Sequence, residues 1–253
     1  MKDLHIHIDR GPYTTEWIEK FIEKAVSENL EEICLLEHSV RFTDFHPSFK
    51  EAAEYNDYQR CWFEEKKNCA HSLDEFKDLA SIIRAKKYPL KVSFGLEVCW
   101  FEQHAQLIKD LTCDGFFDYI LGSVHWVDNW TFNQRKEHWN GRNVNHIFER
   151  YFELENSLVN SGIFDIIAHP DLITCFGFYP DYDLTDTYKK LCENIRKNNM
   201  MLEMNTSKGL GVNKQFFETA VQSGVSFSTG SYAHCPEDVG RGIKKVSSMI
   251  QMP

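Results

Sequence analysis

Seven short apolar runs, each followed by an amphipathic stretch, constrain this chain more than any other feature of its sequence. The runs cover residues 4–8, 32–36, 90–98, 116–121, 164–168, 200–204 and 225–228. Apolar residues recur at helical spacing in 15–28, 73–87, 102–111, 144–159, 185–197, 213–222 and 236–250. In the first of these, Ile18, Phe21, Ile22, Ala25 and Val26 share one face. Ser72-Leu73-Asp74-Glu75 has the pattern of a capping box opening the next. Strands that alternate with helices pair in parallel, because a helical crossover returns the chain to begin each strand from the same end. Seven such units in 253 residues favour one closed or nearly closed α/β barrel over two domains. The segment 40–68 is too long for an ordinary connection and is aromatic and charged, which predicts an insertion forming a helical excursion or a lid.

Composition narrows the function. No apolar run is long enough to cross a bilayer, and the first residues lack the apolar core of a signal peptide. Eight cysteines without a CxxC pair read as reduced thiols of a cytoplasmic protein rather than a disulfide framework. With 28 basic and 38 acidic residues, the net charge of -10 argues against a surface for long nucleic acid. A small phosphorylated molecule remains a fitting partner if a metal supplies local positive charge.

The histidines divide into two groups. His46, His71, His104, His138 and His146 fall in helical or connecting stretches with no partner by spacing. The other six stand where runs end: His5 and His7, His38, His125, His169 and His234. Glu97 ends the third run inside an otherwise apolar stretch. In a (β/α) barrel the C-terminal strand ends converge on one mouth, where catalytic groups gather. His5 and His7, two apart on a strand, turn their imidazoles to one face, leaving Leu4, Ile6 and Ile8 to cover the other against helices. Imidazole combined with carboxylate suits zinc, manganese or iron. HExxH, GxSxG, Walker A and GxGxxG motifs are all absent from the sequence.

Asp3-Leu4-His5-Ile6-His7 and Leu36-Glu37-His38-Ser39 resemble the opening motifs of the PHP (polymerase and histidinol phosphatase) family. Gly95-Leu96-Glu97, Gly122-Ser123-Val124-His125-Trp126 and Ala168-His169-Pro170-Asp171 resemble its middle motifs. Glu203-Met204-Asn205-Thr206-Ser207 and Gly230-Ser231-Tyr232-Ala233-His234 resemble its last two, and the branch most similar is that of the histidinol-phosphate phosphatases. The resemblance implies a single-domain, distorted seven-stranded (β/α) TIM-like barrel holding two to three divalent metal ions (zinc, manganese or iron). It implies that His5, His7 and Glu97 bind the first metal, that Glu97 bridges to a second held by His125 and His169, and that His38 and His234 hold a third. Glu97, His125 and His169 are then also the catalytic set, around a metal-bridging hydroxide that attacks phosphorus. The implied activity is hydrolysis of histidinol phosphate in histidine biosynthesis. The alternatives are action on another small phosphate or nucleotide, and a PHP domain that binds without turnover.

Two positions depart from that pattern. The last motif of the family reads Ser-Asp-Ala-His, with the Asp ligating the first metal, whereas this chain has Tyr232. A further histidine of the family, a third-metal ligand, falls at Tyr13 here, leaving Asp9 or Glu16 to reach in instead. For phosphate, Arg10, Arg41, Arg135, Arg142 and Lys208 lie in connections on the mouth side, though each taken separately reads more readily as a solvated surface cation. Where the family continues Gly-Leu-Arg, this chain reads Gly209-Leu210-Gly211. Asn205 either lines the pocket or is a turn amide, and Glu37 is expected to orient its neighbour His38.

Overall fold

A computed structural model describes residues 1–251. The first half of the chain runs β1 (Lys2–His7), α1 (Thr15–Ser27), β2 (Glu32–His38), α2 (Lys50–Glu54), α3 (Asp57–Lys67), α4 (Leu73–Arg84), β3 (Lys91–Cys99), α5 (Ala105–Thr112) and β4 (Tyr119–Ser123). A hairpin, β5 (Trp126–Val127) with β6 (Trp130–Thr131), precedes α6 (Val144–Asn160). The remainder is β7 (Ile166–Ile167), α7 (Thr185–Lys197), β8 (Met201–Asn205), α8 (Lys214–Gln222), β9 (Ser226–Gly230) and α9 (Ile243–Gln251).

Local chemistry explains the elements. Thr14 caps α1 by accepting from Trp17 N, and Ile18, Phe21, Ile22 and Ala25 are buried as their spacing predicts. Val26, at the edge of that stripe, is exposed. Ser72 and Glu75 form the reciprocal capping box of α4. The seven strands β1-β2-β3-β4-β7-β8-β9 make one sheet, parallel at every pairing. Its edges meet at the mouth: Tyr232 N donates to His5 O at 2.9 Å and His7 N to Ala233 O at 2.8 Å. The sheet therefore forms a seven-stranded, nearly closed TIM-like barrel wrapped by helices.

Several expectations need correction. The fourth strand begins at Tyr119, after a turn at Gly115 with φ of 77°, so Phe116 and Phe117 pack from the connection. The fifth shrinks to two residues, and the last helix begins at Ile243 after Gly240 and Gly242, both with positive φ. The hairpin was not anticipated; Asp128 and Asn129 turn it at φ of 48° and 65°, as a two-residue turn matching strand twist requires. Leu4 does not face the helices. The register slips between Asp3 and Ile6, so Leu4 joins Cys34, Leu36, Leu121, Ile166 and Ala168 in the barrel interior while Ile6 and Ile8 still face outward.

Two further features position the site. Below the interior cluster, the Glu32 carboxylate collects Lys2, Lys91, Ser93 and Tyr119 at the bottom of the barrel. Above it, the residues between β2 and α4 form short 3-10 turns, α2 and α3. Phe42, Phe45, Phe49 and Phe63 of that segment are buried in the main core, which anchors α3 beside the mouth.

Candidate metal centre

Glu97 is the hub of the mouth. Its Oε2 lies 3.2 Å from His5 Nε2, 3.2 Å from His7 Nε2 and 2.9 Å from His38 Nδ1. Its Oε1 lies 2.9 Å from His169 Nε2 and 3.5 Å from His125 Nε2. The sheet dictates this convergence. His38 and Glu97 are register partners on β2 and β3, and the slip in β1 turns both His5 and His7 inward. His234 completes the group by stacking its ring on that of His7, with centroids 4.6 Å apart.

Charge follows from burial. The imidazoles around Glu97 hold its carboxyl well below the usual range despite complete burial. Burial and the neighbouring His38 push His7 well below the ordinary imidazole value, and burial takes His125 down to about 3. Both rings are thus neutral and offer a lone pair.

The residue missed in the sequence is Glu203 on β8. Its Oε1 lies 2.8 Å from His5 Nδ1 and its Oε2 accepts the His169 N–H at 2.7 Å. Burial would lower the His5 pKa, but Glu203 and Glu97 raise it to about 10. The cue was available: a carboxylate inside an apolar strand run, one register inward of Asn205. His125 is held similarly, with Nδ1 lying 3.2 Å from both Cys99 Sγ and Ser123 Oγ. His234 Nδ1 lies 2.6 Å from Asp9 Oδ1.

These residues suit a divalent cation. Three triads each bring one ligand atom per residue to within 4.8 Å of the others: His5-His7-Glu97, Glu97-His125-His169 and His7-His38-His234. The Nε2 atoms of His5 and His7 stand 3.0 Å apart on one carboxylate oxygen, so the lone pairs of neutral His7 and of Glu97 point into one small volume, and His5 joins them once a cation displaces its proton. The outer nitrogens of His5 and His234 meet carboxylates, the usual support for a metal-binding imidazole.

A family model described as PHP domain matches residues 3–207. This chain belongs to the PHP domain family. A Deinococcus radiodurans protein named "Probable histidinol-phosphatase" is 24% identical over 249 residues, covering 94% of this chain and 88% of the relative. A Schizosaccharomyces pombe protein of the same name is 24% identical over 246 residues, covering 88% of this chain and 76% of the relative. The crystal structure of histidinol phosphate phosphatase from Lactococcus lactis, complexed with zinc, L-histidinol and phosphate, superposes with a TM-score of 0.72. Its identity is 18%, with 99% of this chain and 92% of that one covered. That likeness supports the PHP barrel fold.

The last two histidine-cluster residues, Tyr232 and His234, lie beyond the matched span but enter the same PHP mouth. The Tyr232 ring sits 4.9 Å from that of His5 and 5.1 Å from that of His7. Asp9 reaches the cluster through His234, whereas Glu16 is exposed at the start of α1 and Tyr13 stacks on His71 at 3.9 Å. Glu37 does not orient His38. It points to the other side of β2, fully buried, with neither oxygen hydrogen-bonded among the described residues, and burial pushes its pKa well up. Asn205 donates to Glu203 Oε1 at 3.1 Å, so it buttresses the hub's neighbour from β8.

A cavity of about 160 Å³ opens beside the cluster, between His38, His125 and Tyr232 on one side and α3 on the other. Of the five cations proposed for phosphate, Arg41 lines it. Arg135 instead lies over the Tyr58 ring and Arg142 over Trp130, while Arg10 and Lys208 are solvent-exposed. Lys66, on α3, lines the cavity and had no sequence signal beyond its place in the insertion.

Proposed function

We propose that this protein is a metal-dependent phosphomonoester hydrolase that converts histidinol phosphate and water to histidinol and phosphate. The observation that carries this reading is the chain of three triads sharing Glu97 and His7, which opens onto a cavity flanked by Arg41 and Lys66. Membership of the PHP family and the names of its full-length relatives support the substrate. In this reading two to three ions of zinc, manganese or iron are held by His5, His7 and Glu97, by Glu97, His125 and His169, and by His38 and His234 with His7.

The chemistry that such ions supply when bound is neutralisation of phosphoryl oxygens and a lowered pKa for water. The chain's own residues supply position and charge. Glu203 and Asp9 fix the rings of His5 and His234, so their other nitrogens stay aimed at the cluster. Arg41 and Lys66 bring two positive charges to a molecule of net charge -10, where a phosphate dianion must enter. Hydrolysis breaks the ester P–O bond, forms a new one from water and returns one proton to the alcohol oxygen. Eight free thiols suit the reducing cytoplasm, where we place the protein, and no described helix is long and apolar enough to cross a membrane.

Phosphate release should be assayed from histidinol phosphate, a chromogenic aryl phosphate and a dinucleotide, with manganese or zinc added. Histidinol phosphate should be preferred, chelators should abolish turnover, and inorganic phosphate should inhibit competitively. A dinucleotide preference would move the protein to another PHP phosphoesterase. The Tyr232 ring within the histidine cluster favours a second reading, a PHP domain that binds without turnover. Inactivity on all three substrates with metal bound would select it.

A further inference from the structure

His169 enters the metal centre from a strained piece of backbone. It follows β7, which has only two residues to fix its direction, and its own φ is 32°, a left-handed value that residues other than glycine rarely take. Such a conformation persists only where the surroundings impose it. Three contacts impose this one. From β8, Glu203 Oε2 accepts the His169 N–H. On the far side of the turn, Asp171 Oδ2 accepts at 2.9 Å from both N and Nδ2 of Asn213, the cap of α8. Between them, the hydroxyl of Tyr151 on α6 donates to Pro170 O at 3.2 Å.

By sequence pattern Tyr151 is a core residue. It shares the buried stripe of α6 with Ile147, Phe148 and Leu158, and it is fully buried itself. Its ring meets Phe132 and Phe152 edge-on, with centroids 5.4 Å and 5.2 Å away, so the hydroxyl is held in one place. A phenylalanine would serve that packing equally well; what the hydroxyl adds is the bond to Pro170. Glu155, one helical turn further along α6, is also fully buried and close to that hydroxyl. Burial pushes its carboxyl pKa well up, so at neutral pH it is an uncharged acid. An uncharged acid does not draw the phenol proton away, which leaves that proton for Pro170 O.

We infer that Tyr151 is a positioning residue of the metal centre. From outside the barrel it holds the Pro170 peptide, and through it keeps His169 Nε2 beside Glu97 Oε1, 2.9 Å away. The inference rests on reading the Glu97, His125 and His169 triad as a metal site, and it adds α6 to the supports of that triad.

The test compares Tyr151→Phe, which keeps the ring and removes the hydroxyl, with Phe152→Leu, which loosens the same packing and leaves the hydroxyl in place. Zinc is titrated into each metal-free protein against a competing chelator, and phosphate release from histidinol phosphate is recorded on the loaded forms. Tyr151→Phe should weaken one of the bound ions by about tenfold, the lower end of what losing an orienting partner costs, and spare the others. Turnover should fall through kcat with KM nearly unchanged, because the cavity wall is untouched. In metal-free protein carrying isotopically labelled histidine, the His169 signals should shift and broaden while those of His7 and His38 stay in place. Phe152→Leu should lower Tm yet keep wild-type zinc affinities and a wild-type histidine spectrum. Wild-type affinities, kcat and His169 signals in Tyr151→Phe overturn the inference, as does a loss that Phe152→Leu reproduces in proportion to its Tm. Wild-type protein that binds no zinc overturns the metal-centre reading instead. The His169 signals of the metal-free variants then still decide whether Tyr151 holds the turn.

Discussion

The Glu203 carboxylate reaches across the barrel mouth to His5, with Oε1 lying 2.8 Å from Nδ1. The path is open because position 230 on the neighbouring β9 is glycine: a Cβ there would collide with Glu203 Oε1 and with His5 Cβ. The contact fixes the face of His5 that turns to the Glu97 hub. Glu203→Gln keeps the shape but removes the charge, and Gly230→Ala obstructs the approach. Both should weaken metal binding by about 10–100-fold, the usual effect of losing a ligand's orienting partner. Metal titration followed by elemental analysis checks this, and wild-type affinity in both variants would detach Glu203 from the centre.

Glu97 should behave differently. It touches five of the six imidazoles of the mouth and belongs to two of the three triads, so no neighbour can replace it. Glu97→Ala is expected to abolish metal binding and turnover while leaving the helical circular dichroism of the barrel intact. Full activity with unchanged metal content in this variant would remove Glu97 from the mechanism.

The barrel and its mouth were legible because strand-end histidines leave a signal at the period of the βα unit. His7 and His38 end their strands, His5 and Glu97 lie two residues inside theirs, and His125, His169 and His234 follow theirs within four residues. Leu4 was misread because the slip between Asp3 and Ile6 is a property of pairing with β2, which alternation along one strand cannot reveal. Glu203 carried the same cue as Glu97, an acid inside an apolar run, but its role rests on His5, 198 residues away, which local pattern does not reveal. Lys66 and Trp62 reach the cavity through the docking of α3, which the burial of Phe45, Phe49 and Phe63 determines and local pattern does not.

The bottom of the barrel predicts acid sensitivity independent of the metal. Burial alone would raise the Glu32 pKa, but Lys2, Lys91, Ser93 and Tyr119 hold it down at about 2. A carboxyl depressed in the folded state stabilises it fully above the unfolded pKa, near 4.5, and that contribution is lost as pH falls toward 2. After allowance for solvent screening at the barrel end, the contribution is on the order of 2 kcal/mol. Glu32→Gln should therefore lower Tm at pH 7 and flatten its decline between pH 5 and pH 2, roughly the window set by those pKa values. Parallel Tm–pH curves for the two proteins would rule out this role.

Tyr232 presents the sharpest test of the metal centre. Its backbone sits at φ of 55°, a region where Asp and Asn are far commoner than aromatic residues. The conformation is imposed from both sides, since Tyr232 N donates to His5 O and Ala233 O accepts from His7 N. The ring therefore projects between His5 and His7 whatever its chemistry. Burial and the carboxylates of Glu97 and Glu203 push the phenol pKa well above its ordinary value, so it offers neither charge nor an anionic oxygen at neutral pH. Tyr232→Asp should relieve the backbone, supply a carboxylate beside the first triad and shorten the group that crowds it. Metal affinity and turnover are expected to rise by about 10–100-fold, the range seen when the shell around a metal is altered. The measurement is a metal titration of both forms with phosphate release recorded at each point. If the aspartate variant binds no more tightly and turns over no faster, the phenol is part of this protein's own solution, and the first triad works without a fourth anionic ligand.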